Sequence, residues 1–260
     1  MSASAPIPPA IVFSDWDGTI TTIDSNDYLT DNLGFGLAKR KELNEEILSG
    51  RLTFRDAFVE MLASVKTPLP ECIEILKRNI PLDPGFAAFY AWCRSANVPV
   101  IVVSSGMLPI IKALLSSYLD SPSDSSPSAS SDLEIYANDV TVAADGTWTI
   151  AYRDPESGFG HDKSRTIRKY TTETTYPAGQ RPKFFYCGDG VSDLSAARET
   201  DLLFAKKGKD LITYCVKEGV PFTVFEDFTE IHRYVQDVVE GRRTIEDIME
   251  VGAKLEPTTH

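Results

Sequence analysis

Asp15 and Asp17 stand two residues apart in Asp15-Trp16-Asp17-Gly18-Thr19, directly after the apolar run Ile11-Val12-Phe13. If strand geometry continues through them, both carboxylates point to one face. Packing two acids at a buried strand end is costly unless a cation or a reaction uses them. This pattern indicates an enzyme. A second acidic pair, Asp189 and Asp193, follows the run Phe184-Phe185-Tyr186-Cys187 across Gly188 and Gly190. Those glycines permit tight turning, and carboxylate oxygens suit Mg²⁺. Asp193 has a second reading, as the cap of the helix that follows. A third strand end runs from Val102-Val103 into Ser104-Ser105-Gly106. A hydroxyl and unpaired amides at a helix start make an anion site, although Ser-Ser-Gly serves equally as a turn and cap.

Positioning these groups requires several strands that end on one side. The runs Ala10 to Ser14, Val98 to Ser104, Lys183 to Cys187, Leu202 to Ala205 and Phe222 to Phe225 are short, apolar and bounded by Gly, Pro or Asp. They read as buried parallel strands. Helical patterns lie between them at Phe86 to Ala96, Leu108 to Leu119, Asp193 to Glu199 and Leu211 to Lys217. The alternation predicts an α/β, doubly wound (Rossmann-like) parallel sheet, with its ligand site at the carboxyl ends of the strands.

Other segments depart from the alternation. Residues Asp24 to Ile80 carry helical spacing and almost no strand signal, with Phe54, Phe58, Met61 and Leu62 at helical intervals. They predict a helical insert between the first and second core strands. Val140 to Tyr152 alternates polar and apolar around Asp145-Gly146, a β-hairpin signal. Ser121 to Ser131 is a Ser/Pro/Asp tract that reads as a mobile surface loop. Arg242 to Met249 reads as an exposed helix before the tail.

Composition bounds the partners. The 260 residues are 42% hydrophobic and 25% charged, enough for one large domain or a domain with an insert. A net charge of −12 argues against nucleic acid or an anionic membrane as the main partner. No apolar run approaches a membrane span, and the first residues lack the layout of a signal peptide. The four cysteines, Cys72, Cys93, Cys187 and Cys215, show neither metal spacing nor a disulfide framework. The expected location is the cytoplasm, with the nucleus also open.

Together the motifs resemble the haloacid dehalogenase superfamily of phosphohydrolases, from about Ile11 to Phe225 and in that family's order. The resemblance implies Asp15 as nucleophile, Asp17 as general acid/base, Ser104 as the second-motif hydroxyl, and Asp189 with Asp193 as the acidic fourth motif. It also implies a lone lysine, which Lys163 in Gly160-His161-Asp162-Lys163-Ser164 supplies at a fitting distance. An acid at Asp17 is similar to phosphatases and phosphomutases, unlike dehalogenases or P-type ATPases. The implied architecture is a core over 1–23 and 82–260 with a helical cap over 24–81.

The implied chemistry follows from charge. Mg²⁺ held by Asp15, the Asp17 carbonyl and Asp189, with Asp193 in the same acidic group, offsets the phosphate's negative charge. Lys163, the Ser104 hydroxyl and the Ser105 and Gly106 amides spread the rest. Asp15 then forms an aspartyl phosphate, and Asp17 shuttles the proton.

The cap should choose the substrate, a small phosphorylated metabolite. Asp24 stands where the phosphoserine-phosphatase-like branch carries its cap acid, followed by Asn26 and Asp27, acceptors suited to hydroxyls; Asp24 or Ser25 could equally be a helix cap. The position that should hold the carboxylate-gripping arginine, seven after Phe54, is Met61, which argues against phosphoserine. The stretches Asp24 to Asp31, Gly160 to Arg165 and Phe185 to Leu194 resemble the fungal polyol phosphatases of the superfamily, implying substrates such as ribitol 5-phosphate or sorbitol 6-phosphate. His161, beside the lysine, reads either as a substrate contact or as a structural histidine. Other small phosphoesters (sugar phosphates, phosphocholine, a methylthiopentenyl phosphate) and a silent phosphometabolite sensor are the rival readings.

Overall fold

In the computed structural model, which describes residues 6–120 and 129–253, the chain begins with β1 (Ala10–Ser14), every residue of which is buried. There follow α1 (Ser25–Leu33), α2 (Leu37–Leu48), α3 (Phe54–Ala63), α4 (Leu69–Asn79) and α5 (Phe86–Ser95). Next come β2 (Val100–Met107), α6 (Leu108–Leu119), β3 (Glu134–Val142), β4 (Trp148–Ala151) and α7 (Lys163–Thr171). The chain closes with β5 (Lys183–Gly188), β6 (Leu202–Lys206), α8 (Asp210–Glu218), β7 (Thr223–Phe225), α9 (Phe228–Val239) and α10 (Ile245–Ala253). The strand order is β4-β3-β2-β1-β5-β6-β7. This is the expected α/β sheet architecture. Most of the Ser/Pro tract and the tail after 253 lie outside the described residues. Among the described residues, no helix is long and apolar enough to cross a membrane.

By their contacts the residues fall into two units. Among the described residues, one comprises 6–15, 83–101 and 163–253; the other comprises 16–82, 102–120 and 129–162. In the first, β1, β5, β6 and β7 run parallel, with Phe13 opposite Tyr186 and Cys187 opposite Phe204. Both faces of these strands are covered, which is why they read as continuous apolar runs. Helix α9 buries Phe228, Ile231, Tyr234 and Val235, a helical stripe that the sequence reading passed over. Phe228 packs on Phe86 and Phe89 with ring centroids 5.0 and 5.3 Å apart. Burial of each such ring contributes about 1.5–3 kcal/mol. Asp83 ties the same region together: Gly85 and Phe228 amides donate to its Oδ1, and Lys206 Nζ lies 3.1 Å from its Oδ2.

Two expectations in this unit require correction. The helix expected over Asp193 to Glu199 is a short 3₁₀ turn, Val191–Ser195. The Asp193 carboxylate turns back to accept the Asp189 and Gly190 amides, a local bonding pattern that competes with regular helix. The last helix begins later than expected, because Thr244 and Asp247 exchange side-chain-to-amide bonds and so cap it. Ile245 and Ile248 are buried, so it is not an exposed helix.

The second unit holds α1 to α4, α6 and the β3–β4 hairpin. Phe54 stacks on Phe58 at 5.3 Å, and Phe58, Met61 and Leu62 are buried, as the spacing predicted. The hairpin pairs Asp139 with Ala151 and Val142 with Trp148. Long-range bonds tie it to the helices: Trp148 Nε1 donates to Thr67 O, and Tyr152 OH donates to Arg55 O.

Candidate active site

Within the first unit, Asp15 follows β1 and its amide donates to Cys187 O at 2.8 Å, which seats it beside the end of β5. Lys163, the first residue of α7, is fully buried. Its Nζ lies 2.8 Å from Asp15 Oδ1 and 2.6 Å from Asp193 Oδ1. Burial alone would lower the ammonium's pKa, but the two carboxylates outweigh it and hold the group above its ordinary value. Asp193 also accepts from Tyr186 OH at 2.5 Å on Oδ1, and from the Asp189 and Gly190 amides on Oδ2. Four donors on one carboxylate give Asp193 an orienting duty. Burial, and then the charge of Asp193, push the Tyr186 phenol well above its usual pKa, so it remains a donor. A Cβ at Gly188 would lie 2.5 Å from Asp193 Oδ2, so only glycine leaves room for this arrangement.

Asp15, Asp189 and Asp193 each place an oxygen so that all three lie within 4.8 Å of one another. A compact set of carboxylate oxygens fits a hard divalent cation such as Mg²⁺. Lys209 Nζ approaches Asp189 Oδ2 at 3.4 Å.

In the second unit, Asp17 lies in the tight turn Trp16–Ile20, where Gly18 takes φ 74°, a conformation that favours glycine. Thr21 closes this turn: its amide and hydroxyl donate to Trp16 O, and its oxygen accepts from the Gly18 amide. The Asp17 carboxylate is buried. Its Oδ1 accepts from Ser25 N at 2.7 Å and Ser25 Oγ at 2.6 Å, and its Oδ2 accepts from Asn26 Nδ2 at 2.7 Å.

Near the end of β2, the Gly106 amide donates to Ser104 Oγ at 2.9 Å. This differs from the expectation of an unpaired Gly106 amide, since the Ser104 hydroxyl folds back onto it. The two serine carbonyls are clamped by side chains: His161 Nδ1 sits 2.7 Å from Ser104 O, and Asn138 Nδ2 donates to Ser105 O at 2.7 Å. A carbonyl only accepts, so His161 carries a proton on Nδ1. Asn138 Oδ1 accepts from the Arg153 amide, holding this side chain at both ends. Ser105 Oγ and Asn26 Oδ1 are buried without a hydrogen-bond partner. A buried orphan polar atom costs about 1–3 kcal/mol, which a ligand hydrogen bond would recover.

The remaining expected residues are partly committed to the fold. Asp24 is the N-cap of α1, and both cap bonds, from the Asn26 and Asp27 amides, end on Oδ1. Asp27 pairs with Arg40 at 2.7 Å, and Arg40 also forks onto Asp31. Asn138 and Tyr186 escaped the sequence reading. Their only signal is a lone polar side chain amid apolar strand residues, which many folds also contain.

The family model for haloacid dehalogenase-like hydrolases matches residues 12–198. The chain is 52% identical over 244 residues to the polyol phosphate phosphatase PYP1 of Saccharomyces cerevisiae, covering 93% of this chain and 98% of that protein. It is 53% identical over 225 residues to Pdp3-interacting factor 1 of Schizosaccharomyces pombe, covering 86% and 94% respectively. Among solved structures, the phosphoserine phosphatase of T. onnurineus matches with a TM-score of 0.62 at 14% identity, covering 91% of this chain and 99% of that one. At that identity the likeness speaks for the fold alone.

Proposed function

On the premise that this chain belongs to the haloacid dehalogenase-like hydrolase family and is a phosphatase, we propose that it hydrolyses the phosphate monoesters of small polyols through an aspartyl phosphate on Asp15. The observation that carries the polyol reading is the 52% identity to a polyol phosphate phosphatase across 93% of the chain. The chemistry rests on the Lys163–Asp15 pair. A buried ammonium at 2.8 Å is a counter-charge to the Asp15 carboxylate and directs it, as a nucleophile requires.

In the proposed first step, an Asp15 oxygen forms a bond to phosphorus as the bond from phosphorus to the polyol oxygen breaks. Asp17 gives its proton to the departing alkoxide. In the second step water attacks the phosphorus, its proton passes to Asp17, and the Asp15 carboxylate and inorganic phosphate are released. Such acid/base assistance is worth about 10²- to 10⁴-fold in rate. Of the groups suited to phosphoryl oxygens, Lys163 belongs to the first unit and the Ser104 hydroxyl and Ser105 amide to the second. Mg²⁺, for which Asp15, Asp189 and the adjoining Asp193 are the candidate ligands, would supply charge neutralisation when bound.

Residues 24–81 are read as a cap that selects the substrate and excludes water. Asp24 uses only Oδ1 for its helix cap, and its Oδ2 is suited to a substrate hydroxyl. The unsatisfied Ser105 Oγ supports a further contact to substrate. Met61 is buried and apolar, and Arg40 is held by Asp27 and Asp31, which disfavours a carboxylate-bearing substrate such as phosphoserine. The bond from His161 to Ser104 O supports reading it as a structural histidine rather than a substrate contact.

The test is phosphate release with Mg²⁺ from ribitol 5-phosphate, sorbitol 6-phosphate, phosphoserine, phosphocholine and a methylthiopentenyl phosphate. The polyol phosphates should give the highest kcat/KM. A preference for phosphoserine would overturn the substrate assignment, and no turnover on any ester would favour a phosphometabolite sensor.

A further inference from the structure

Asp17 is gripped by the first turn of α1, and the grip is asymmetric. Its Oδ1 accepts two bonds from one residue, Ser25 N and Ser25 Oγ. Its Oδ2 accepts from the Asn26 side-chain Nδ2. Ser25 and Asn26 are 1% and 5% exposed, so neither bond is shared with bulk water. The cap of α1 divides its amides in a matching way: Asp24 takes those of Asn26 and Asp27, while the Ser25 amide goes to Asp17. The positive end of the helix therefore ends on the Asp17 carboxylate.

We propose that Asn26 is the positioning residue of the proton shuttle, directing Asp17 Oδ2 to exchange the proton with the leaving oxygen, while Ser25 fully commits Oδ1. This rests on the reading of Asp17 as general acid/base and goes beyond it, because it assigns Asn26 to the chemical step. Each carboxylate oxygen accepts about two hydrogen bonds. Both sites of Oδ1 are filled by Ser25, so proton exchange falls to Oδ2. The plane of Oδ2 is then set by Asn26 Nδ2 at 2.7 Å. A carboxylate accepts only, so the Asn26 amide presents nitrogen to it and turns its oxygen away. That oxygen is the buried atom without a partner. The amide thus tolerates an unsatisfied acceptor in order to keep its donor on Asp17. Gly106 permits the pose: a Cβ there would lie 2.7 Å from Asp17 Oδ2 and 3.3 Å from Asn26 Nδ2.

A group that acts through the general acid has a distinctive kinetic mark. An alkoxide leaves poorly and needs its proton, whereas a nitrophenolate leaves well without one. The value of kcat/KM covers the steps up to departure of the leaving group. The experiment measures it for ribitol 5-phosphate and p-nitrophenyl phosphate with Asn26→Ala, Ser25→Ala, Asp17→Asn and the parent, with thermal unfolding of each. Asn26→Ala should lose about 10²-fold on the alkyl ester and less than about tenfold on the aryl ester, at an unchanged unfolding midpoint. Ser25→Ala, which keeps the backbone donor, should lose less but in the same sense. Should Asn26→Ala fail to fold, Asn26→Asp keeps the side-chain size, sets a carboxylate against Asp17 and should show the same selectivity. Equal losses on both esters would overturn the proposal. If Asp17→Asn is selective for the alkyl ester and the Asn26 variants are not, this inference alone fails. If Asp17→Asn is itself unselective, the acid/base reading beneath it fails.

Discussion

Lys163 Nζ sits 2.8 Å from Asp15 Oδ1 with both side chains buried, so the ammonium and the proposed nucleophile form one desolvated ion pair. Asp193 shares the same ammonium at 2.6 Å. Removing the cation would leave two carboxylates in low dielectric with no counter-charge, and breaking a buried pair in this way costs about 3–5 kcal/mol. Lys163→Met should therefore lose that much stability in urea unfolding and lose turnover. A variant that unfolds within about 1 kcal/mol of the parent would show that the pair is not holding the region together.

Gly106 is a constraint of space. Its φ is ordinary, but an added methyl would meet Asp17 Oδ2 at 2.7 Å and Ser104 Oγ at 3.2 Å. Asp17 is anchored by Ser25 and Asn26 and has little freedom to yield. Misplacement of a reacting group by about 1 Å can cost about 10²-fold in rate. Gly106→Ala should lower kcat by about that factor and lose about 1–3 kcal/mol of stability, the usual cost of overpacking a site that cannot yield. Retained kcat would place the proton transfer elsewhere.

Asp24 has two separable duties. Its Oδ1 caps α1, and loss of an N-cap costs about 1 kcal/mol. Asp24→Ser preserves the cap chemistry and removes the second oxygen. It should keep the parent's stability but raise KM for ribitol 5-phosphate more than for p-nitrophenyl phosphate. Asp24→Ala should lose stability as well. Equal KM changes for the two esters would confine Asp24 to its structural role.

Alkaline pH should weaken the fold in a defined window. Burial pushes the Cys72 and Cys215 thiols from 9.0 up to about 11. A raised pKa means that the native state holds these protons more tightly than the unfolded chain does. Their contribution is fully present below pH 9 and is lost as pH rises toward 11. The urea midpoint should fall across that interval, and Cys215→Ala should fall less steeply. A flat profile would mean that these thiols are as accessible to ionisation in the native state as in the unfolded chain.

The sheet and the acidic strand ends were legible because each follows from a local pattern: Ile11 to Phe13 before Asp15, and Phe184 to Cys187 before Asp189. The insert was legible from Phe58, Met61 and Leu62 at helical intervals, all buried. Asn138 was not legible, because it meets Ser105 across 33 residues and nothing local marks it. Tyr186 lay inside a quoted motif, yet its role arises only when the 3₁₀ turn swings Asp193 back over Gly188. The same turn hid the end of the expected helix. Residues that carry chemistry announce themselves by type, whereas those that orient them are defined by the partner that folding brings.

Asp189 tests the metal reading. It is half-buried, one of its oxygens lies within 4.8 Å of ligand atoms on Asp15 and Asp193, and Lys209 Nζ stands 3.4 Å away. Replacing Asp189 removes one of the three carboxylates whose oxygens make up the cluster, so its loss should bear on cation affinity. Changes in groups that only support ligands already cost about 10- to 100-fold in metal affinity. Asp189→Asn should raise the Mg²⁺ concentration for half-maximal activity by at least that factor. The rise in unfolding temperature that Mg²⁺ gives the parent should shrink correspondingly, since a ligand that binds the native state stabilises it by mass action. Lys209→Ala should move the requirement the opposite way by removing a competing cation. Parental Mg²⁺ dependence in Asp189→Asn, by both measurements, would remove this carboxylate from the cation site.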